Sequence, residues 1–162
     1  MADFRVTIEE DILLHGVQMG STRTLEVANV SDAYKRIVKC PSNSETTVAH
    51  FHSSVADGQL PSIIDMQLAK YIRVTNLSTA TSITLSMQID INENDSSADH
   101  SASLLIQPGR SFIMGQPEDG IGVSDANANL VTDLVDLESL VVFTGATAVE
   151  VEVMIISSDV GV

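Results

Sequence analysis

Tryptophan is absent from this 162-residue sequence, cysteine occurs once, and aromatic residues together make up 4% of it. Each shortage removes a class of function. A single cysteine, Cys40, excludes an internal disulfide and a thiolate zinc site, and reads as a small buried apolar side chain. Few aromatic faces leave little on which sugars or bases can stack. Basic residues are scarce as well: 8 Lys and Arg against 22 Asp and Glu give a net charge of −14, which repels phosphate backbones and anionic membranes. Neither nucleic acid nor a membrane is therefore expected as a partner. No apolar run approaches the ~20 residues that span a bilayer. The start, Met1-Ala2-Asp3-Phe4-Arg5, shows no basic region followed by an apolar stretch, so it reads as a chain that matures in a cytoplasm.

What is present is a hydrophobic fraction of 44%, too high for a disordered acidic segment, in a chain of about one domain's length. The clearest pattern is period-two alternation. From Ser82 to Ile91, Ile83, Leu85, Met87, Ile89 and Ile91 share one face, and Ser82, Thr84, Ser86, Gln88 and Asp90 the other. Val149, Val151, Val153 and Ile155 alternate with Glu150 and Glu152, whereas Met154 and Ile156 make the far end apolar on both faces, as expected where another element or subunit covers it. Further strands are predicted at Phe4 to Ile8, Arg23 to Val30, Ala33 to Cys40, Glu45 to Phe51, Lys70 to Asn76, Ser101 to Ile106, Arg110 to Met114 and Leu140 to Thr144. Turn residues separate them, among them Ser31-Asp32, Pro41-Ser42-Asn43, Asp57-Gly58, Pro108-Gly109 and Thr144-Gly145. About ten short strands exceed one small sheet, so residues 1–162 are expected to form a single all-β domain, a two-sheet antiparallel sandwich of jelly-roll type. At most one short helix is expected, where Leu130, Leu134 and Leu137 recur at helical spacing after Asp125 or Asn127. The polar run Asn92 to Ser103 reads as an exposed loop.

Few residues carry the signs of chemistry. His50-Phe51-His52 puts two imidazoles on one strand face, about 7 Å apart, a spacing that suits a metal. It resembles part of the cupin pattern, but Asp57 is the only nearby carboxylate, and the turn Gln107 to Phe112 has no imidazole. Asp90, Asn92 and Asn94 space oxygens as a calcium loop does, yet Asp95 stands where its sharp-turn glycine belongs and Ser101 where a bidentate glutamate belongs. No Gly-x-Ser-x-Gly turn and no phosphate loop is present. The residues thus favour a protein that is not an enzyme and has no cofactor. Lys35, Arg36, Lys39, Lys70 and Arg73 lie within predicted strands, where they either blunt an outer edge or form a positive patch for the acidic surface of a neighbouring subunit. Residues 1–22 read either as an N-terminal arm that docks on a neighbour or as an ordinary first hairpin. Phe4, Leu13, Leu14 and Met19, together with Met154 and Ile156, are the candidate apolar anchors.

Three segments carry a resemblance: Tyr71-Ile72-Arg73-Val74-Thr75-Asn76-Leu77-Ser78, Ile83-Thr84-Leu85-Ser86-Met87-Gln88-Ile89, and Leu104-Leu105-Ile106-Gln107-Pro108-Gly109-Arg110-Ser111-Phe112-Ile113-Met114. A strand ending in an Asn turn, a Ser/Thr-rich amphipathic strand, a Pro-Gly turn and a Val/Glu final strand resemble small β-sandwich virion proteins of tailed bacteriophages, above all head decoration or cement proteins. The resemblance spans about Lys70 to Ile156 and is one of pattern and composition. It implies a protein made in the host cytoplasm and carried on the capsid surface of the virion, with the major capsid protein and further copies of itself, as a homotrimer or homodimer, for partners. A tail, baseplate or neck component is the alternative within structural proteins. A cupin-like metal enzyme using His50 and His52, or a calcium-dependent carbohydrate-binding module, would be the alternatives of other classes.

Overall fold

Alternating side chains build two sheets whose apolar faces meet. The computed structural model describes residues 2–52, 63–65, 68–89, 100–115 and 137–158, and among them the chain is all-β. The strands are β1 (Ala2–Glu9), β2 (Leu13–Leu14), β3 (Val17–Gln18), β4 (Thr22–Cys40), β5 (Glu45–His52), β6 (Ile63–Asp65), β7 (Ala69–Asn76), β8 (Ile83–Ile89), β9 (His100–Ile106), β10 (Ser111–Gly115), β11 (Leu137–Thr144) and β12 (Val149–Ser158). One sheet has the order β1-β4-β12-β7-β10 and the other β6-β5-β11-β8-β9; every pairing is antiparallel except β5 with β6.

The topology follows from one folding rule. Strands β4, β5, β7 and β8 pair with β12, β11, β10 and β9 respectively, so the chain is a long antiparallel ribbon whose innermost pair is β8 with β9, rolled into two layers. That nesting is the jelly-roll order, a double-sheet arrangement. The expected sandwich is what forms. Valines 149, 151 and 153 and Ile155 face inward with Ile72 and Val74, and meet Val48, Phe51, Ile83, Leu85, Leu140 and Val142 of the other sheet. Cys40 is fully buried in this core, where burial pushes its thiol up and a hydrogen bond with the Thr46 side chain pulls it partly back.

Four sequence expectations change. No turn occurs at Ser31-Asp32: β4 runs unbroken for 19 residues. The polar residues there mark a double irregularity, because Ala28–Asn29 bulge against β1 and Ser31 against β12. Asn29 takes a positive φ of 54°, and Ser158 Oγ donates to the carbonyls of Ala28 and Asn29, so the strand bends without breaking its ladder. Lys70 and Arg73 do not blunt an edge, since β7 has a neighbour on each side; Lys70 is only 2% exposed and Arg73 is bonded to Glu152. Residues 101–103, which fall in both the expected strand Ser101 to Ile106 and the expected loop Asn92 to Ser103, are strand, with Ser103 Oγ donating across to Ser86 Oγ at 3.0 Å. Leu137, the last position of the expected helix, opens β11 fully buried; Leu130 and Leu134 lie outside the described residues.

A buried polar residue ties the ribbon's ends. Asn76 is fully buried, and its amide donates to the carbonyls of Thr81 at 2.8 Å and Ile106 at 3.1 Å while its side-chain oxygen accepts from the Ser78 amide at 3.0 Å. Its backbone accepts from Gly109 and donates to Arg110. One side chain therefore locks the β7–β8 turn onto the Pro108-Gly109 turn.

Candidate interaction surface

Residues 2–30, which include the first half of β4, form one continuous hairpin. Pairs from Phe4↔Val27 to Glu9↔Thr22 and then Leu13↔Gln18 and Leu14↔Val17 keep a single register. Glu10 donates to Ser21 and Met19 to Ile12 across the gap between the two ladders. The loop is two residues, His15 and Gly16, with φ of 51° and 80°, the paired positive values of a primed turn that matches strand twist. Gly20 is fixed by a close approach, since a Cβ there would collide with the backbone carbonyl of Glu10.

Register decides the chemistry of the two faces. One face carries Phe4, Val6, Ile8, Ile12, Leu14, Val17, Met19, Leu25 and Val27, interrupted by Glu10, Ser21 and Arg23. The other is polar but for Leu13, with Arg5 bonded to Glu26 at 2.9 Å and Thr7 facing Thr24. At its base the apolar face lies on the outside of the first sheet. Phe4, Val6, Leu25, Val27 and Val30 pack with Tyr71, Met154 and Ile156 in a second, smaller core. The Phe4 and Tyr71 rings are 4.9 Å apart, and Leu25 reaches Gly115 of the edge strand β10. Beyond that contact the face continues uncovered through Ile8, Ile12, Leu14, Val17 and Met19, the last 60% exposed.

The candidate anchors thus divide. Leu13, Leu14 and Met19 stand on the free part of the arm. Phe4 belongs to its packed base, and Met154 and Ile156 lie beneath, so the cover expected for the apolar end of β12 is supplied by the chain's own hairpin. The sequence reading missed that the stretch from Asp11 to Gly20 continues the alternation. Leu14-His15-Gly16-Val17 was the available signal, a Gly-containing two-residue loop between apolar residues.

The remaining candidates are not brought together. His50 and His52 share the exposed outer face of β5, and His50 Nδ1 lies 3.0 Å from the Glu138 carbonyl. Among the described residues no three His, Cys, Asp or Glu side chains converge as metal ligands. Asp90, Asn92 and Asn94 lie outside the described residues, as does the Asp57-Gly58 turn. Across the second sheet's outer face runs an open groove of about 590 Å³, lined by Thr84, Ser86, Gln88, Ser103 and the half-exposed Phe143, with Glu45 and Glu138 at its side. Comparison with known protein families, curated proteins and solved structures finds no match in any of the three. No helix among the described residues is long and apolar enough to cross a membrane.

Proposed function

We propose that this chain is a non-enzymatic virion structural protein of the capsid decoration or cement type, which stabilises a phage head through protein–protein contacts. One observation carries the reading: a hairpin arm whose apolar face is packed against its own body at the base and runs on uncovered to the tip. A large apolar stripe on a projecting element has its natural use in an interface. The jelly-roll frame supports the reading by analogy, as does the strong negative charge, which keeps free subunits apart before assembly. A decoration protein acts by mass action, since binding only the assembled shell shifts the equilibrium towards it. The major capsid protein is the proposed partner and the capsid surface the proposed location.

A tail, baseplate or neck role would use the same arm at far lower copy number. The test is co-sedimentation of purified chain with empty capsids and with tails of the source phage. Saturable binding to capsids in hundreds of copies, lost when Leu14 and Met19 are both replaced by Ser, is the expected result. Binding to tails alone would move the chain to the alternative, and binding to neither, with stoichiometric transition metal in the purified protein, would return His50 and His52 to the front.

A further inference from the structure

The first sheet is also open along part of β4, and that stretch is basic. Along β4 the partner β1 begins at Ala2 opposite Val30, so residues 31–40 have no strand on that side among the described residues. This edge carries Lys35, Arg36 and Lys39, three of the eight basic residues in the chain, around Ile37, which is 61% exposed. Arg36 lies 5.2 Å from the Tyr34 ring, and Lys35 reaches Glu152 at 3.4 Å. The hairpin arm is the reverse: Glu9, Glu10 and Asp11 stand in succession between Ile8 and Ile12, and β1 is the outermost strand, with no partner on its other edge among the described residues.

We infer that the arm of one copy adds as an antiparallel strand to the 31–40 edge of a second copy. Read in opposite directions, Ile8-Glu9-Glu10 matches Ile37-Arg36-Lys35 residue for residue, an apolar pair followed by two opposite-charge pairs. Cross-strand pairs of this kind contribute individually little and together fix register. Lysines on an edge strand repel neutral and basic strands, and here the same lysines admit an acidic one. The backbone ladder of an added strand supplies the affinity and leaves the apolar face of the arm, which points out of the sheet plane, free for the particle. Donor and acceptor surfaces differ, so the contact is head-to-tail and closes into a ring when the rotation permits. The inference rests on the proposed function as an assembling structural protein and names the contact that joins its subunits.

The test is the mass of the full chain by size-exclusion chromatography with light scattering at about 100 μM, in low and high salt. Wild type is expected as a discrete oligomer that loosens at 1 M salt. The triple change Glu9→Lys, Glu10→Lys, Asp11→Lys and the triple change Lys35→Glu, Arg36→Glu, Lys39→Glu each give monomer, with circular dichroism confirming an intact fold. Combining all six in one chain restores the oligomer. A monomeric wild type overturns the inference, and if it still binds capsids the proposed function stands without it. Folded single-triple variants that remain oligomeric, or a combined variant that stays monomeric, also overturn it.

Discussion

Replacing Asn76 by Ala is expected to lower stability by about 4 kcal/mol. The change strands two carbonyl oxygens, of Thr81 and Ile106, and the amide of Ser78. The bond to Ile106 is fully buried and those to Thr81 and Ser78 partly so, giving about 2 kcal/mol for the first and about 1 for each of the others. For a chain of this size that loss corresponds to a fall in melting temperature of about 8–16 °C. Thermal melts followed by circular dichroism at pH 7 read it directly. Asn76→Asp sharpens the test, because it keeps the acceptor for Ser78 but points a carboxylate at two carbonyls. It should be less stable than Asn76→Ala at pH 7 and recover as acid protonates the new side chain, whose folded pKa is raised so that its penalty appears as pH rises. A fall of under 3 °C for Asn76→Ala, or an Asp variant indifferent to pH, would refute the role assigned to this side chain.

Ile155→Ala removes a fully buried side chain from the centre of the main core and should cost about 2–5 kcal/mol, measured by urea denaturation. Tyr71→Ala strips the small core beneath the hairpin, including the ring contact with Phe4, and should release the arm: amides of residues 4–8 lose hydrogen-exchange protection while those of β8 and β11 keep theirs. Joining Glu9 to Thr22 through Asn-Gly, in place of residues 10–21, removes only exposed or half-exposed residues and should shift the melting temperature by no more than a few degrees while abolishing particle binding. Burial raises the thiol of Cys40 and, against the opposing pull of Arg73, the phenol of Tyr71. The folded state therefore holds protons that the unfolded state releases, so stability is full below about pH 9 and falls as pH rises beyond it. Cys40→Ala should flatten the first part of that fall in melts taken from pH 7 to 11.

Most strands were legible because one face of each is buried and the other wet, and Val149 to Ile155 is the plainest case. The long β4 was not, because Ser31-Asp32 has the composition of a turn while its backbone stays in both ladders through two bulges. Local residue type cannot distinguish a bend that keeps its hydrogen bonds from a reversal that gives them up. The arm was half legible: its apolar residues were noted, but His15 is not a customary first residue of a primed turn, so the register linking Ile8 to Ile12 stayed hidden. The burial of Lys70 had no local sign, since alternation around it names a strand without saying which strands flank it. The basic edge became visible only when the topology showed which segment of β4 lacks a neighbour.

The nested order also bears on how the chain reaches its fold. Strand β12 sits between β4 and β7, yet its partners on β4 precede it by on the order of a hundred residues, so the loop closure that seats it is costly and comes late. Until then β4 and β7 each leave unpaired the backbone groups that β12 bonds in the native state. Unpaired strand edges of this kind are where partly folded chains associate, so the seating of β12 is the step at which this topology is exposed to strand exchange between copies.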